Sequence, residues 1–136
     1  RIFIKCSGIV ELPDVKYTTL IKETTQYINM TQINANQVFV ETLEQLEELL
    51  DDCDADIDYD TISDILTIEF ANDTKIIINF QSAHDQLWLA ARSGGYHYDL
   101  DSQTGQWKND RSGEDLYDDL SRLATEQAGE EVSLKP

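Results

Sequence analysis

The stretch FVETLEQLEELLDDCDADIDYD, residues 39–60, changes its repeat half-way along. At about 100° per residue, Phe39, Leu43, Leu46 and Leu50 fall on one side of a helix. Glu41, Glu44, Glu48, Asp51 and Asp52 share an arc on the other side, with Glu47 on its flank. Beyond Asp52 the period drops to that of a strand, so Asp54, Asp56, Asp58 and Asp60 point one way and Ala55, Ile57 and Tyr59 the other. The pattern predicts one acidic ridge that runs along a helix and the strand after it. Like charges packed this densely destabilise a fold, which makes the ridge a lead about function.

Outward from the ridge, the remaining elements read in order. The first helix runs from Asn34 to Asp52. Asp64–Phe70 and Lys75–Phe80 are strands joined by the turn Ala71-Asn72-Asp73-Thr74. Gln86–Ala91, Tyr96–Leu100 and Gln106–Asn109 continue the strands, separated by Gly94-Gly95 and by Ser102–Gly105. Ser112 is the expected N-cap of a last helix, which carries Leu116, Leu120 and Leu123 as its apolar stripe, ends near Gln127 and is stopped by Gly129. The order helix, antiparallel meander, helix predicts an α+β fold, a two-layer sandwich with the N- and C-terminal helices on one face of an antiparallel sheet.

Composition sets the partners such a chain tolerates. Lys plus Arg is 10 against Asp plus Glu 27, a net charge of −17, which repels nucleic acid and anionic membranes and favours cations and basic protein surfaces. The 40% apolar content and clear periodicity argue against disorder. Cys6 and Cys53 have no metal-type spacing and suit a reducing compartment, and no run reaches the length of a membrane span. Residues 1–29 hold four Lys or Arg against three Asp or Glu, so the strong acidity starts only after Met30, the single methionine. That seam divides the chain into an N-terminal extension, residues 1–29, expected to be an addition outside the native domain, and a domain over 30–136. A strand within residues 1–12 is the alternative.

Several motifs then fall in one register. The acidic segment Glu47–Asp60 is followed by Lys75-Ile-Ile-Ile-Asn79, Gln86-Leu-Trp-Leu-Ala90, Gly94-Gly-Tyr-His-Tyr-Asp99 and Asp110-Arg-Ser-Gly-Glu114. In content and order they resemble the frataxin family, and among frataxins the short bacterial form, over Met30–Leu134. The resemblance implies a cytoplasmic bacterial protein of iron–sulfur cluster assembly, not an enzyme, that binds Fe2+ or Fe3+ weakly and exchangeably on its ridge. It further implies docking on the cysteine desulfurase and the iron–sulfur scaffold protein, as iron donor or regulator, by a monomer that metal could drive to oligomerise. Five positions depart from the family pattern: Phe80 replaces a basic residue, Ala83 a proline, His84 an apolar residue, Asp85 a histidine and Cys53 a tryptophan. The Phe80 change bears on the sheet-side docking surface.

The residues themselves support a metal role of a particular kind. Carboxylates are hard ligands that discriminate poorly among Fe3+, Fe2+, Mn2+, Ca2+ and Mg2+, so other cations substitute for iron. Glu44, Glu47, Glu48, Asp51, Asp52, Asp54, Asp56, Asp58 and Asp60 are the candidate metal ligands, and Glu44/Glu48, Glu47/Asp51 and Glu48/Asp52 stand at i, i+4, close enough to share an ion. An exposed row of this kind offers one to three ligands per ion and predicts weak, multiple sites. Asp54, Asp56 and Asp58 match the opening of an EF-hand, but Tyr59 stands where its glycine is needed and Ile65 where its closing glutamate is needed.

His84 and His97 have no Ser or Cys partner in a catalytic grouping; His97 reads as a strand residue on the face opposite Tyr96 and Tyr98. Trp88, between Leu87 and Leu89, is expected on the sheet's open face as a protein-contact anchor. The family resemblance adds Asn79 and Gln81 to it, with Glu47, Glu48, Asp51 and Asp52 also touching the docked partner. The same charges fit a second reading, an acidic interaction module or nucleic-acid mimic with no physiological metal role.

Overall fold

The computed structural model describes residues 34–136. The expectations for residues 1–29 lie outside them.

Helix α1 spans Ala35–Asp51 and is opened by Asn34, whose side chain accepts a hydrogen bond from Gln37 N at 3.2 Å. It buries Phe39, Thr42, Leu43, Leu46 and Leu50, the stripe set by its 3.6-residue period. Asp52 caps its C-terminus, and Cys53 N and Ile57 N close the reversal that follows onto Leu50 O and Ala55 O. Strand β1 therefore starts only at Ile57 and runs to Ile62. This corrects the alternation reading at its near end, where Asp54 and Asp56 sit in the reversal because the chain needs those residues to turn back along the helix.

The sheet is a six-stranded antiparallel meander in the order β1 to β6, with β2 Ile65–Phe70, β3 Lys75–Gln81, β4 Gln86–Ala91, β5 Gly94–Leu100 and β6 Trp107–Asn109. Ser63 and Asp64, both at positive φ (51° and 61°), form the two-residue turn between β1 and β2, and Asp64 is thus a turn residue and not the start of a strand. Alternate residues Leu66, Ile68, Phe70, Ile76, Ile78, Leu87, Leu89, Tyr98 and Trp107 face the helices and join them in one buried core.

Helix α2 spans Leu116–Ala128 and ends, as expected, at Gly129 in the left-handed conformation (φ 75°). Its N-cap is Asp115, which accepts from Tyr117 N at 2.9 Å, and not Ser112. Ser112 belongs to the preceding turn, where Asn109 Oδ1 accepts from Arg111 N and Ser112 N. The chain then returns along α2. Thr125 Oγ1 exchanges hydrogen bonds with Val132 N and O, Leu134 N donates to Ser121 Oγ at 2.8 Å, and Val132 and Leu134 are buried.

One buried carboxylate ties α2 to the sheet. Asp119 Oδ2 accepts from Tyr98 Oη at 2.9 Å and from Asn109 Nδ2 at 3.1 Å, and its Oδ1 accepts from Arg122 at 2.9 Å. Three donors satisfy a charge that would otherwise be costly to remove from water. On the other side of the core, Trp107 Nε1 donates to Thr42 Oγ1 at 3.0 Å and so links β6 to α1. No helix among the described residues is long and apolar enough to cross a membrane.

Candidate metal ridge and docking face

The carboxylates of α1 divide into two rows once β1 lies beside the helix. Glu47 and Asp51 line the seam: Thr61 Oγ1 donates to Glu47 Oε2 at 2.6 Å and Tyr59 Oη to Asp51 Oδ1 at 2.8 Å. These pairings run in opposite senses along the two elements, so α1 lies antiparallel to β1. The hydrogen bond to Asp51 is the main cause that raises the Tyr59 pKa above its ordinary value, with desolvation next and the charges of Asp51 and Glu47 adding to it. Glu44, Glu48 and Asp52 form the outer row, all exposed. Asp51 and Asp52 lie at the helix C-terminus with no basic residue in the last turn, where the macrodipole also disfavours negative charge.

The strand carboxylates do not continue that row on one face. Ile57, Tyr59 and Thr61 pair with Phe70, Ile68 and Leu66 and share their helix side of the sheet, so Asp58 and Asp60 project from the open side. Asp58 stands opposite Glu69, itself bonded to Lys75 at 2.8 Å. The acids thus wrap around the β1 edge of the sheet: helix seam and outer row, then Asp54 and Asp56 in the reversal, then Asp58 and Asp60 beyond it. The sequence period gives the alternation along β1 but not which side the helix covers, and that is why the single ridge becomes a wrapped one. Among the described residues, no three His, Cys, Asp or Glu side chains converge to enclose an ion. The donor set fits a hydrated cation held by one or two carboxylates.

The open face carries Trp88 as expected, and Asn79 stands directly opposite it, with Gln81 opposite Gln86. Trp88 is half-buried and not freely exposed. Its indole is stacked on His97 with ring centroids 4.3 Å apart, and His84 stacks near it at 5.9 Å. Its Nε1 donates to Gln86 Oε1 at 2.9 Å, while the Gln86 amide donates to Asp99 at 3.0 Å and Asp110 at 3.4 Å. His97 is on the face opposite Tyr98, as its alternation predicts, and pairs across the strands with Trp88. The part played by His84 was not legible, because a loop imidazole has no period to place it. Phe80 faces the helices, 5.4 Å from the Phe39 ring and 6.4 Å from Trp107. Half-buried, it packs against the core near α1 and β6 and also lines a surface depression with Asp64, Ile65 and Asn79. A cleft of about 470 Å³ between β5 and α2 is lined by His97, Asp110, Arg111, Glu114, Asp118 and Arg122, among others, and lies away from the ridge. Its mixed charges single out no ligand.

A single antiparallel meander with two helices on one side, carboxylates around one edge and an aromatic stack on the bare side defines the class: a small acidic α+β domain. Residues 32–130 match the model of the frataxin-like domain. The chain is 46% identical over 94 residues to the "Iron-sulfur cluster assembly protein CyaY" of Paraburkholderia phymatum, covering 69% of this chain and 88% of the relative. It is 39% identical over 108 residues to the protein of the same name from Pseudomonas fluorescens, covering 79% and 98%. A solved structure of frataxin from Psychromonas ingrahamii superposes with a TM-score of 0.68 at 36% identity, covering 76% of this chain and all of that one. The chain belongs to the frataxin-like family.

Proposed function

We propose that this protein takes part in iron–sulfur cluster assembly as a non-enzymatic adaptor that carries iron weakly on its carboxylate edge and docks on the cysteine desulfurase and scaffold protein. The observation that carries the reading is the outer row Glu44, Glu48 and Asp52, spaced at i, i+4 on an exposed helix side and adjoining Glu47 and Asp51 in the seam. Two such carboxylates and water make a low-affinity oxygen site that fits iron as a transient cargo. The names of the relatives from Paraburkholderia and Pseudomonas support the assembly role, and the half-buried Trp88 with Asn79 and Gln81 supplies a separate contact surface for the partner. Bacterial cytoplasm is the setting that this role implies.

Anaerobic calorimetric titration with Fe2+ tests the reading. The wild type binds in the micromolar range or weaker, and the Glu44→Gln/Glu48→Gln/Asp52→Asn variant loses most of that heat while its circular dichroism stays the same. Equal binding by the variant would move iron off the helix, and no saturable binding by the wild type would favour an acidic interaction module with no metal role.

A further inference from the structure

The large apolar side chains most exposed among the described residues all lie on one surface. Ile62 is 66% exposed, Ile65 41% and Ile77 38%. By register each points to the open face, because Leu66, Ile76 and Ile78 between or beside them are buried against the helices. They also line up. Ile62 pairs with Ile65, and continuing the β2–β3 register by one residue sets Ile65 beside Asn79. Asn79 pairs with Trp88, and Trp88 with His97. A band of Ile62, Ile65, Asn79, Trp88 and His97 therefore crosses five strands at one level, with Ile77 two residues from Asn79 along β3. Bare isoleucines at a sheet edge favour aggregation unless a partner covers them.

We propose that this band is one docking surface, and that its β1–β2 end receives apolar side chains from a basic protein partner. The inference rests on the docking reading above and extends it from Trp88 to Ile62, Ile65 and Ile77. Charge selects the occupant. Asp58, Asp60, Asp64 and Glu69 flank the isoleucines, and the neighbouring cation, Lys75, is already paired with Glu69. A partner with Lys or Arg around an apolar centre meets complementary charge on that rim and gains in association rate. A second copy of this chain does not, because a two-fold contact would set Asp58, Asp60 and Asp64 of one copy against the same residues of the other.

The test uses the full chain and the purified cysteine desulfurase as probe. Ile62→Thr/Ile65→Thr keeps β-branching on exposed positions, and Ile77→Thr serves as an independent variant. The double variant should bind at least tenfold more weakly with its urea midpoint unchanged, and Asp60→Asn should flatten the salt dependence of the association rate. Trp88→Ala is measured alongside to separate the two readings. Weakening by Trp88→Ala with wild-type binding by the isoleucine variants overturns the extension alone. No effect from any of them, or no binding by the wild type, overturns the docking reading and the extension together. A concentration-dependent dimer in sedimentation, dispersed by Ile62→Thr/Ile65→Thr, would make the occupant a second copy and contradict the proposal.

Discussion

Tyr98 is the residue at which burial and charge act together most directly. Burial, and then its hydrogen bond to Asp119, push its pKa far above the ordinary tyrosine value. A raised folded-state value means that the neutral hydroxyl is the form the fold holds, so its contribution is complete below about pH 10 and is lost as pH rises beyond that. In urea unfolding, stability should fall above pH 10 by up to about 1.4 kcal/mol per pH unit from this group. Tyr98→Phe should be less stable at pH 8 and fall less steeply between pH 10 and 11.5; an unchanged alkaline slope would show that Tyr98 does not govern it. Trp88 differs in kind, because it is half-buried on the open face with His97 and His84 stacked near it. Trp88→Ala should cost about 2 kcal/mol or more of desulfurase binding, read by surface plasmon resonance, with only a small change in urea midpoint. That Trp88 belongs to the open face was legible from Leu87 and Leu89 on either side of it. That His84 and His97 stack against it was not, since stacking across a loop and a neighbouring strand leaves no mark in local spacing.

Helix α1 is where electrostatic strain concentrates, and its two rows should answer neutralisation differently. Glu44, Glu48 and Asp52 are exposed and stand at i, i+4 to one another, so replacing them with Gln, Gln and Asn relieves repulsions of about 0.2–0.5 kcal/mol each at low salt and should raise the melting temperature. Glu47 and Asp51 accept hydrogen bonds from Thr61 and Tyr59, which charge strengthens. Glu47→Gln/Asp51→Asn should therefore gain less or lose stability. Differential scanning calorimetry of the two variants in low and high salt makes the comparison; equal gains would mean that the seam bonds contribute nothing. The extent of α1 was readable to within one residue at each end, because the apolar stripe begins just after Asn34 and the acids fall out of its period at Asp52. The start of β1 was not, because a period of two in Asp54–Asp60 persists through a reversal that is not yet strand.

For the whole molecule, the layer order followed from the alternation of apolar residues and the two helical stripes, but the closing segment did not. Val132 and Leu134 look like ordinary residues beyond a helix stop, and only the Thr125 and Ser121 hydroxyls that receive the returning chain place them in the core. Leu134→Ala should cost about 2–5 kcal/mol in urea unfolding, as for a central core leucine; a loss under 0.5 kcal/mol would show that the segment is only loosely held. The wrapped carboxylate edge and the apolar band meet at β1, so under the proposed function the ion and the docked protein would share only the acids of the rim. The central claim is that iron is held at that edge and the aromatic stack is not part of its site. Anaerobic Fe2+ titration of the 15N-labelled chain tests it most directly: amide signals of residues 44–60 should broaden saturably while the Trp88 indole signal persists. Broadening centred on His84, Trp88 and His97, or none along residues 44–60, would contradict the account.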